Sequence, residues 1–226
     1  MSFSLNNKRA VLFDMDGVLY DSMPIHAMAW CKAMAEFGYS MTPEDVYANE
    51  GCTGSYTVRM IAGREGKGTV SETDVKRIYA CKAAIFQAHE PAPMMPGAYG
   101  VMQKAHAHGL QIQIVTGSGQ GGLIDRVQRD YNGFVVRNLM VTAFDVERGK
   151  PFPDPYLKGL ETGGVSADEA VVVENAPLGI RSARSAGIET IAVNTGPLPD
   201  EILLAEGPSA LYHSMQELCD SFDSLF

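Results

Sequence analysis

Long apolar runs and basic clusters are both missing from this chain of 226 residues. No apolar run approaches the roughly 18 residues that a membrane-spanning helix needs, so we expect no membrane association. Residues 1–9 lack the apolar segment of a signal peptide, which predicts a cytoplasmic protein. The formal net charge is −9, and binding to a nucleic-acid backbone depends on Lys and Arg. We therefore expect no nucleic-acid partner.

Paired cysteines are also missing. The four cysteines are scattered and form no Cys-x-x-Cys pair: Cys31, Cys52, Cys81 and Cys219. Their spacing is typical neither of a zinc site nor of a disulfide framework, so it favours reduced thiols. No heptad pattern or apolar surface stripe points to a partner subunit, which favours a monomer.

The pattern of apolar residues divides the chain into two kinds of sequence. From Pro96 onward strands and helices alternate, which predicts an α/β fold with a doubly wound parallel sheet. The apolar run 10–13 belongs to the same sheet, whereas residues 24–88 have only helical patterns. We predict a Rossmann-like core of residues 1–21 and 93–226 with an inserted all-helical cap of residues 22–92. The crossings near Ser22 and Pro91 are candidate hinges for cap closure.

Two carboxylates, Asp14 and Asp16, follow the first predicted strand and precede Gly17. In open parallel sheets ligands bind beyond the carboxyl ends of the strands. Two acids there without a neighbouring base suit Mg²⁺, which prefers oxygen ligands and a substrate phosphate. Asp-x-Asp-Gly taken alone is equally compatible with an exposed turn.

Three later loops carry further polar groups. Residues 116–119, Thr-Gly-Ser-Gly, lie between a predicted strand and a helix, where a hydroxyl and free backbone N–H groups can bind an anion. Lys150 lies in Gly-Lys-Pro-Phe-Pro-Asp-Pro, and a lone lysine in such a loop is usually exposed. Glu174 and Asn175 end another predicted strand, residues 170–173.

These four segments resemble, in order, the signatures of the haloacid-dehalogenase-like phosphohydrolase superfamily, and specifically its beta-phosphoglucomutase-like branch. The resemblance covers nearly the whole chain. It implies that Asp14 is a nucleophile forming an aspartyl-phosphate and that Asp16 is the general acid and base. It further implies that Thr116 binds the transferred phosphate, that Lys150 balances charge, and that Mg²⁺ is the cofactor.

The metal site departs from the pattern of many relatives, which carry Glu-Asp where this chain has Glu174-Asn175. An Asn carbonyl can coordinate a hard cation but brings no charge. We therefore expect Mg²⁺ to be held by Asp14, Asp16, Asn175 and Glu174, the last directly or through water, and to bind more weakly. The alternative is that Asn175 is only the N-cap of a helix beginning at Pro177.

Residues 21–30 resemble the hinge segment of beta-phosphoglucomutase and its sugar-phosphatase relatives, which implies that Ser22 and His26 lie at the substrate. Ser118 and Lys82 are further candidates for substrate binding. A mutase needs a cation at the distal phosphate of a bisphosphate. The mutases place an Arg in the cap loop, but residues 50–55 contain no basic residue, and Glu50 would repel phosphate.

Arg59 and Lys82 are the candidate substitutes for that missing cation. The absence favours a Mg²⁺-dependent phosphatase acting on a small sugar or polyol monophosphate. The alternative within enzymes is beta-phosphoglucomutase, which converts beta-glucose 1-phosphate into glucose 6-phosphate. A third possibility is a catalytically silent binding module, since a fold does not determine function.

Overall fold

The computed structural model describes residues 3–118 and 121–226. Its centre is a six-stranded, fully parallel sheet with the strand order β3-β2-β1-β4-β5-β6. This confirms the predicted doubly wound sheet. The strands are β1 (Ala10–Phe13), β2 (Gln111–Val115), β3 (Met140–Val141), β4 (Ala170–Glu174), β5 (Glu189–Val193) and β6 (Ala210–Tyr212).

Ten α-helices accompany this sheet in the described part of the chain. Four lie between β1 and β2: α1 (Met23–Glu36), α2 (Pro43–Ala48), α3 (Gly54–Arg64) and α4 (Glu72–Gln87). The other six are α5 (Ala98–Ala107), α6 (Gly121–Asp130), α7 (Asp154–Gly163), α8 (Pro177–Ser185), α9 (Asp200–Leu204) and α10 (Met215–Ser221). None of these helices has both the length and the hydropathy to cross a membrane.

Separate apolar clusters hold the helices and the sheet together. One face of the sheet buries Phe13, Ile114 and Val173 against α5, α6 and α10, and the other buries Leu12 and Tyr156. A further cluster lies among α1 to α4 and includes Met34, Ile61 and Ile78. All four of these helices fall within the predicted cap of residues 22–92, whose boundaries stay a prediction.

Short-range hydrogen bonds begin the cap helices where the sequence indicates. The Thr42 hydroxyl accepts the Asp45 N–H while the Asp45 carboxylate accepts the Thr42 N–H, a reciprocal capping box that opens α2. The hydroxyls of Thr53 and Ser71 accept the N–H groups of Tyr56 and Asp74 in the same way. These caps fix where the cap helices start, and with them the loops that face the sheet.

The register of the sheet determines where the functional side chains meet. Phe13 of β1 pairs with Ile114 of β2 on one side and with Val173 of β4 on the other. Parallel strands end at the same edge, so the residues after each strand lie side by side. The residue directly after β1 is Asp14, and the loops after β2 and β4, which contain Thr116 and Asn175, lie on either side of it.

Candidate active site

Asp14 is nearly buried and is paired with Lys150. The Lys150 Nζ donates to Asp14 Oδ1, to Glu174 Oε1 at 2.6 Å and to the Val115 carbonyl at 3.3 Å. Burial raises the pKa of the Asp14 carboxyl to about 8, although the Lys150 ammonium opposes the rise. Burial alone would lower the pKa of Lys150, but Asp14 and Glu174 raise it well above its usual value. Lys150 therefore stays positively charged beside the predicted nucleophile.

Glu174 is fully buried and both of its oxygens have partners. Oε1 accepts from Lys150 and from the Tyr156 hydroxyl at 3.0 Å, and Oε2 accepts the N–H groups of Asn175 and Ala176, both at 2.9 Å. The prediction that Glu174 carries the charge of the metal site does not fit this position. Its carboxylate instead neutralises and orients Lys150, with Tyr156 as a second donor that the sequence did not indicate.

Asp16 is held by two residues at the start of the cap. Its Oδ1 accepts from the Ser22 hydroxyl at 2.6 Å and lies 3.1 Å from His26 Nε2. The Lys82 Nζ lies 2.8 Å from His26 Nδ1. Lys82, His26 and Asp16 are therefore linked in series by hydrogen bonds. Lys82 is buried rather than on a solvated helix face, and it packs over the ring of Trp30.

The protonation states along this chain follow from burial and charge. Burial lowers the pKa of His26, and the Lys82 ammonium adds to this. The Asp16 carboxylate opposes both but does not reverse the shift in pKa, so the ring is neutral. A neutral ring accepts from Lys82 at Nδ1 and donates from Nε2 to Asp16. Burial would raise the pKa of Asp16, but His26 and Ser22 outweigh it and lower the pKa to about 2. Burial also lowers the pKa of Lys82 to about 8.

The predicted anion loop begins at the end of β2. Thr116 donates its backbone N–H to the Val141 carbonyl, and its Oγ1 accepts the Ser118 N–H at 3.0 Å. A Cβ on Gly117 would lie 3.1 Å from the Gly51 carbonyl, so a cap loop lies directly over this segment. Gly119, the last residue of the predicted loop, lies outside the described residues.

A cleft of about 90 Å³ lies between the sheet edge and helices α1 to α4. Five of the predicted site residues line it, namely Asp14, Asp16, His26, Lys82 and Ser118. Thr116, Lys150, Ser22, Glu174 and Asn175 are not among its lining residues. The cap adds apolar side chains and polar groups that the sequence did not assign, including Met23, Trp30, Met41, Asn49 and Thr57.

A cap residue, Glu50, contacts the loop after β4. Asn175 Nδ2 donates to Glu50 Oε2 at 2.9 Å. Burial raises the pKa of Glu50 well above its usual value, and the nearby carboxylates of Asp14 and Glu174 add to the rise. The N-cap of α8 is Ala176, so the alternative that Asn175 caps this helix is wrong.

Comparison with known proteins supports the family resemblance. Residues 11–193 match the model of the haloacid dehalogenase-like hydrolase family. The chain belongs to this family. Hexitol phosphatase A of Escherichia coli is 31% identical over 213 residues, which cover 93% of each chain. The phosphorylated carbohydrates phosphatase of Thermotoga maritima is 29% identical over 213 residues, covering 89% of this chain and 93% of the relative.

A similar solved structure is that of a Bacteroides vulgatus protein provisionally described as a beta-phosphoglucomutase. It is 46% identical, covers 99% of this chain and 90% of its own, and superposes with a TM-score of 0.93. The chain is thus an enzyme of this hydrolase family, whose relatives include phosphatases and a phosphoglucomutase-like protein.

The residues of this family member fit a hard cation such as Mg²⁺. The described residues contain no cluster of three or more His, Cys, Asp and Glu side chains suited to a metal, and the predicted set includes the amide of Asn175. In the described structure the Oδ1 of Asn175 and the Oε1 of Glu50 are buried oxygens without a hydrogen-bond partner. A Cβ on Gly17 would overlap the Asn175 amide, which therefore packs against the loop that contains Asp16. Unpartnered buried oxygens next to two carboxylates are suitable ligands for Mg²⁺.

Proposed function

We propose that this protein hydrolyses small sugar or polyol monophosphates through an aspartyl-phosphate on Asp14, with Mg²⁺ as cofactor. The observation that carries the proposal is that Asp14, which lines the cleft together with Asp16, is paired with the buried Lys150 behind it. A carboxylate beside a buried ammonium can approach a negatively charged phosphoryl group at a lower electrostatic cost. The second carboxylate is held separately by Ser22 and His26 and so can act on the leaving oxygen.

In the first half of the reaction the Asp14 carboxylate attacks phosphorus, and the bond from phosphorus to the substrate oxygen breaks. Asp16 gives the leaving oxygen its proton. Because the pKa of Asp16 is about 2 in the resting protein, that proton has to be supplied. The Lys82 ammonium can pass a proton to His26 Nδ1, and His26 can release one from Nε2 to Asp16.

In the second half, water attacks the phosphorus of the aspartyl-phosphate. The ionised Asp16 accepts the proton of this water, inorganic phosphate leaves and the Asp14 carboxylate is regenerated. Mg²⁺ held by Asp14, Asp16 and Asn175 would supply positive charge that offsets the repulsion between the nucleophile and the phosphate. Lys150 supplies a fixed positive charge at the same place throughout.

The lining of the cleft favours hydrolysis over mutase chemistry. A mutase has to bind a second phosphate, and Lys82 is the cation among the described residues that line the cleft. Lys82 is already engaged with His26, while Glu50 brings a carboxyl group rather than a second cation to the same space. Arg59 is bound to the Val70 carbonyl and to Glu72 instead of the cleft.

The test is phosphate release from a panel of substrates with Mg²⁺. The panel contains hexitol phosphates, hexose phosphates, glycerol phosphate, p-nitrophenyl phosphate and inorganic pyrophosphate. Pyrophosphate is included because its leaving group, a second phosphate, is small enough for a cleft of this size. We expect release from at least one sugar or polyol phosphate, and loss of release with EDTA and in Asp14→Asn. Release from no ester would contradict the proposal and favour a binding module.

The same panel separates the phosphatase from the mutase. Glucose 1-phosphate is supplied with a trace of glucose 1,6-bisphosphate, and both inorganic phosphate and glucose 6-phosphate are measured. Hydrolysis produces net inorganic phosphate. Formation of glucose 6-phosphate without net phosphate would establish the mutase instead.

A further inference from the structure

The chain passes between sheet and cap helices twice, and the two crossings are hydrogen-bonded to each other. The Asp21 N–H donates to the Pro93 carbonyl at 3.0 Å, and the Met95 N–H donates to the Leu19 carbonyl at 2.8 Å. Tyr20 and Met94 form an antiparallel bridge between these two contacts. The crossings therefore form one short, paired hinge.

A single side chain from the core, Arg126 of α6, contacts both crossings. Its Nη2 donates to the Ala92 carbonyl in the second crossing. Its guanidinium carbon lies 4.4 Å from the centre of the Tyr20 ring in the first crossing. Its Nε donates to Asp130 Oδ2 at 2.9 Å, and the Tyr20 hydroxyl donates to the same oxygen at 3.1 Å.

The chemistry of this cluster requires arginine. The guanidinium lies over the Tyr20 ring while its N–H groups donate to a carboxylate and to a carbonyl. The side chains of Arg126 and Asp130 are only 17% and 18% exposed, so solvent screens these contacts little. A lysine could supply the charge but could not make all three contacts in this geometry.

The position of this hinge determines which residues reach Asp16. Ser22 lies two residues after Tyr20 and donates to Asp16, and His26 lies in the first turn of α1 and contacts the same carboxylate. The Tyr20 carbonyl also accepts the Gly17 N–H at 2.8 Å, which ties the hinge to the loop of Asp16. Arg126 itself does not line the cleft.

We propose that Arg126 is a positioning residue for the proton-transfer step. It holds both crossings so that α1 keeps Ser22 and His26 in contact with Asp16. This inference rests on the proposed function, because it assigns Arg126 an effect on the acid that protonates the leaving group. The prediction is a selective loss of turnover for substrates whose leaving group needs that proton.

The experiment compares Arg126→Met with Arg129→Met, a control on the same helix. The Arg129 side chain is 73% exposed, contacts among the described residues only the other oxygen of Asp130 at 3.4 Å and reaches neither crossing, so it tests the loss of one arginine charge beside Asp130. Each variant is assayed with the best alkyl phosphate of the panel and with p-nitrophenyl phosphate, whose phenolate leaves without a proton. Because general acid catalysis contributes roughly 10²- to 10⁴-fold, we expect Arg126→Met to lower kcat for the alkyl phosphate by about tenfold or more. For the aryl phosphate we expect Arg126→Met to lower kcat by less than about threefold. Arg129→Met should have the kcat of the wild type with both substrates.

A second measurement needs no turnover. Trp30 is the only tryptophan of the chain, it is buried, and it lies in α1. We expect Arg126→Met to shift its fluorescence emission to longer wavelength, as a displaced α1 exposes the indole, and Arg129→Met to leave it unchanged. If Arg126→Met does not fold, Arg126→Lys and Tyr20→Phe are measured instead, and changes in the same direction are expected.

An equal loss with both phosphates, or unchanged emission of Trp30, would overturn the role of Arg126. Failure of the proposed function would give a different result, because the wild-type protein would then release phosphate from neither substrate. In that case the emission of Trp30 still decides whether Arg126 positions α1.

Discussion

At the scale of single residues, Asp14 is expected to be needed for activity and costly for stability. Asp14→Asn should abolish phosphate release because the amide is not a nucleophile. The folded protein raises the pKa of Asp14 from 3.8 to about 8, so it binds this proton more tightly than the unfolded chain does. Without metal, stability should fall as pH rises from about 4 to about 8. In EDTA at pH 7.5 we expect Asp14→Asn to melt at least about 3 °C higher than the wild type, since 1 kcal/mol is worth roughly 2–4 °C.

The difference in melting temperature between the wild type and Asp14→Asn should vanish near pH 4. At that pH the carboxyl group of Asp14 is neutral in the folded protein, as the amide that replaces it in the variant is at every pH. Asp168→Asn is the matched control, because the side chain of Asp168 is exposed and outside the site. It should change neither activity nor the melting temperature. A lower melting temperature of Asp14→Asn at pH 7.5 would show that Lys150 more than compensates the buried charge.

Asn175 is expected to limit the affinity for Mg²⁺. Asn175→Asp adds a charged oxygen ligand and should tighten Mg²⁺ binding, by roughly tenfold for 1.4 kcal/mol. The same change removes the donor to Glu50 and places two carboxylates together. We therefore expect the gain to be larger in the background of Glu50→Gln. Calorimetric titration with Mg²⁺ measures this, and an unchanged affinity in both backgrounds would exclude Asn175 as a ligand.

Lys82 is expected to set the alkaline side of the pH profile. Its pKa is about 8, so it is charged below this pH and loses its proton above it. We expect kcat for an alkyl phosphate to fall as pH rises through about 8, and Lys82→Met to lower kcat at pH 7 by about 10²-fold and to lack this fall. Methionine preserves the apolar contact with Trp30. Lys76→Met is the control, because Lys76 is exposed on the same helix, and its profile should match the wild type.

At the scale of helices and strands, regular elements with strong local patterns were predictable. The sequence placed β1, β2, β4 and β5 and the cap helices, because each has its own apolar period or capping residue. The pattern predicts a strand over residues 139–143, whereas β3 ends at Val141 because Thr142 donates both its N–H and its hydroxyl to Asp145. It missed β6, a half-buried edge strand of three residues with no clear alternation.

The same distinction applies to the site. Asp14, Asp16, Thr116 and Lys150 lie in local motifs at strand ends, so sequence alone could single them out. The contact between Glu50 and Asn175 joins positions 125 apart, and that between Tyr156 and Glu174 joins positions 18 apart. No local pattern indicates either contact, since the first depends on how the cap packs on the sheet and the second on how α7 packs on β4. The prediction of Glu174 as a metal ligand rests on local sequence alone, which does not indicate its contacts with Lys150 and Tyr156.

The loop between α2 and α3 should matter through its contact with the core. Gly51 has a φ of +84°, and a Cβ there would lie 3.0 Å from Lys150 Cδ. Gly51→Ala should cost about 1–2 kcal/mol of stability for the left-handed backbone and displace Lys150, which lowers kcat/KM by roughly tenfold. Gly66→Ala is the matched control, with a φ of +64° and open space around the Cβ. Gly66→Ala should lose a similar amount of stability but keep the kcat/KM of the wild type. Equal kcat/KM of the two variants would contradict the role of Gly51 in placing Lys150.

At the scale of the whole molecule, carboxyl groups gather where the cap meets the sheet, and burial together with their mutual repulsion raises the pKa of Asp14 and of Glu50. Asp14, Asp16, Glu50 and Glu174 meet there, and the ammonium groups nearby belong to Lys150 and Lys82. A divalent cation would offset the remaining repulsion and stabilise the folded chain by mass action. At 100 times its Kd the gain is about 2.7 kcal/mol, which corresponds to roughly 5–10 °C in melting temperature.

Melting curves at pH 7.5 with MgCl₂ should therefore show a rise that levels off as the site fills. NaCl at the same ionic strength is the control, because screening acts weakly on buried charges and should raise the melting temperature much less. Asp14→Asn should show a smaller rise, since it removes one charged ligand. Equal effects of MgCl₂ and NaCl on the wild-type protein would mean that the cation acts on the net charge of −9 as a whole rather than at this site.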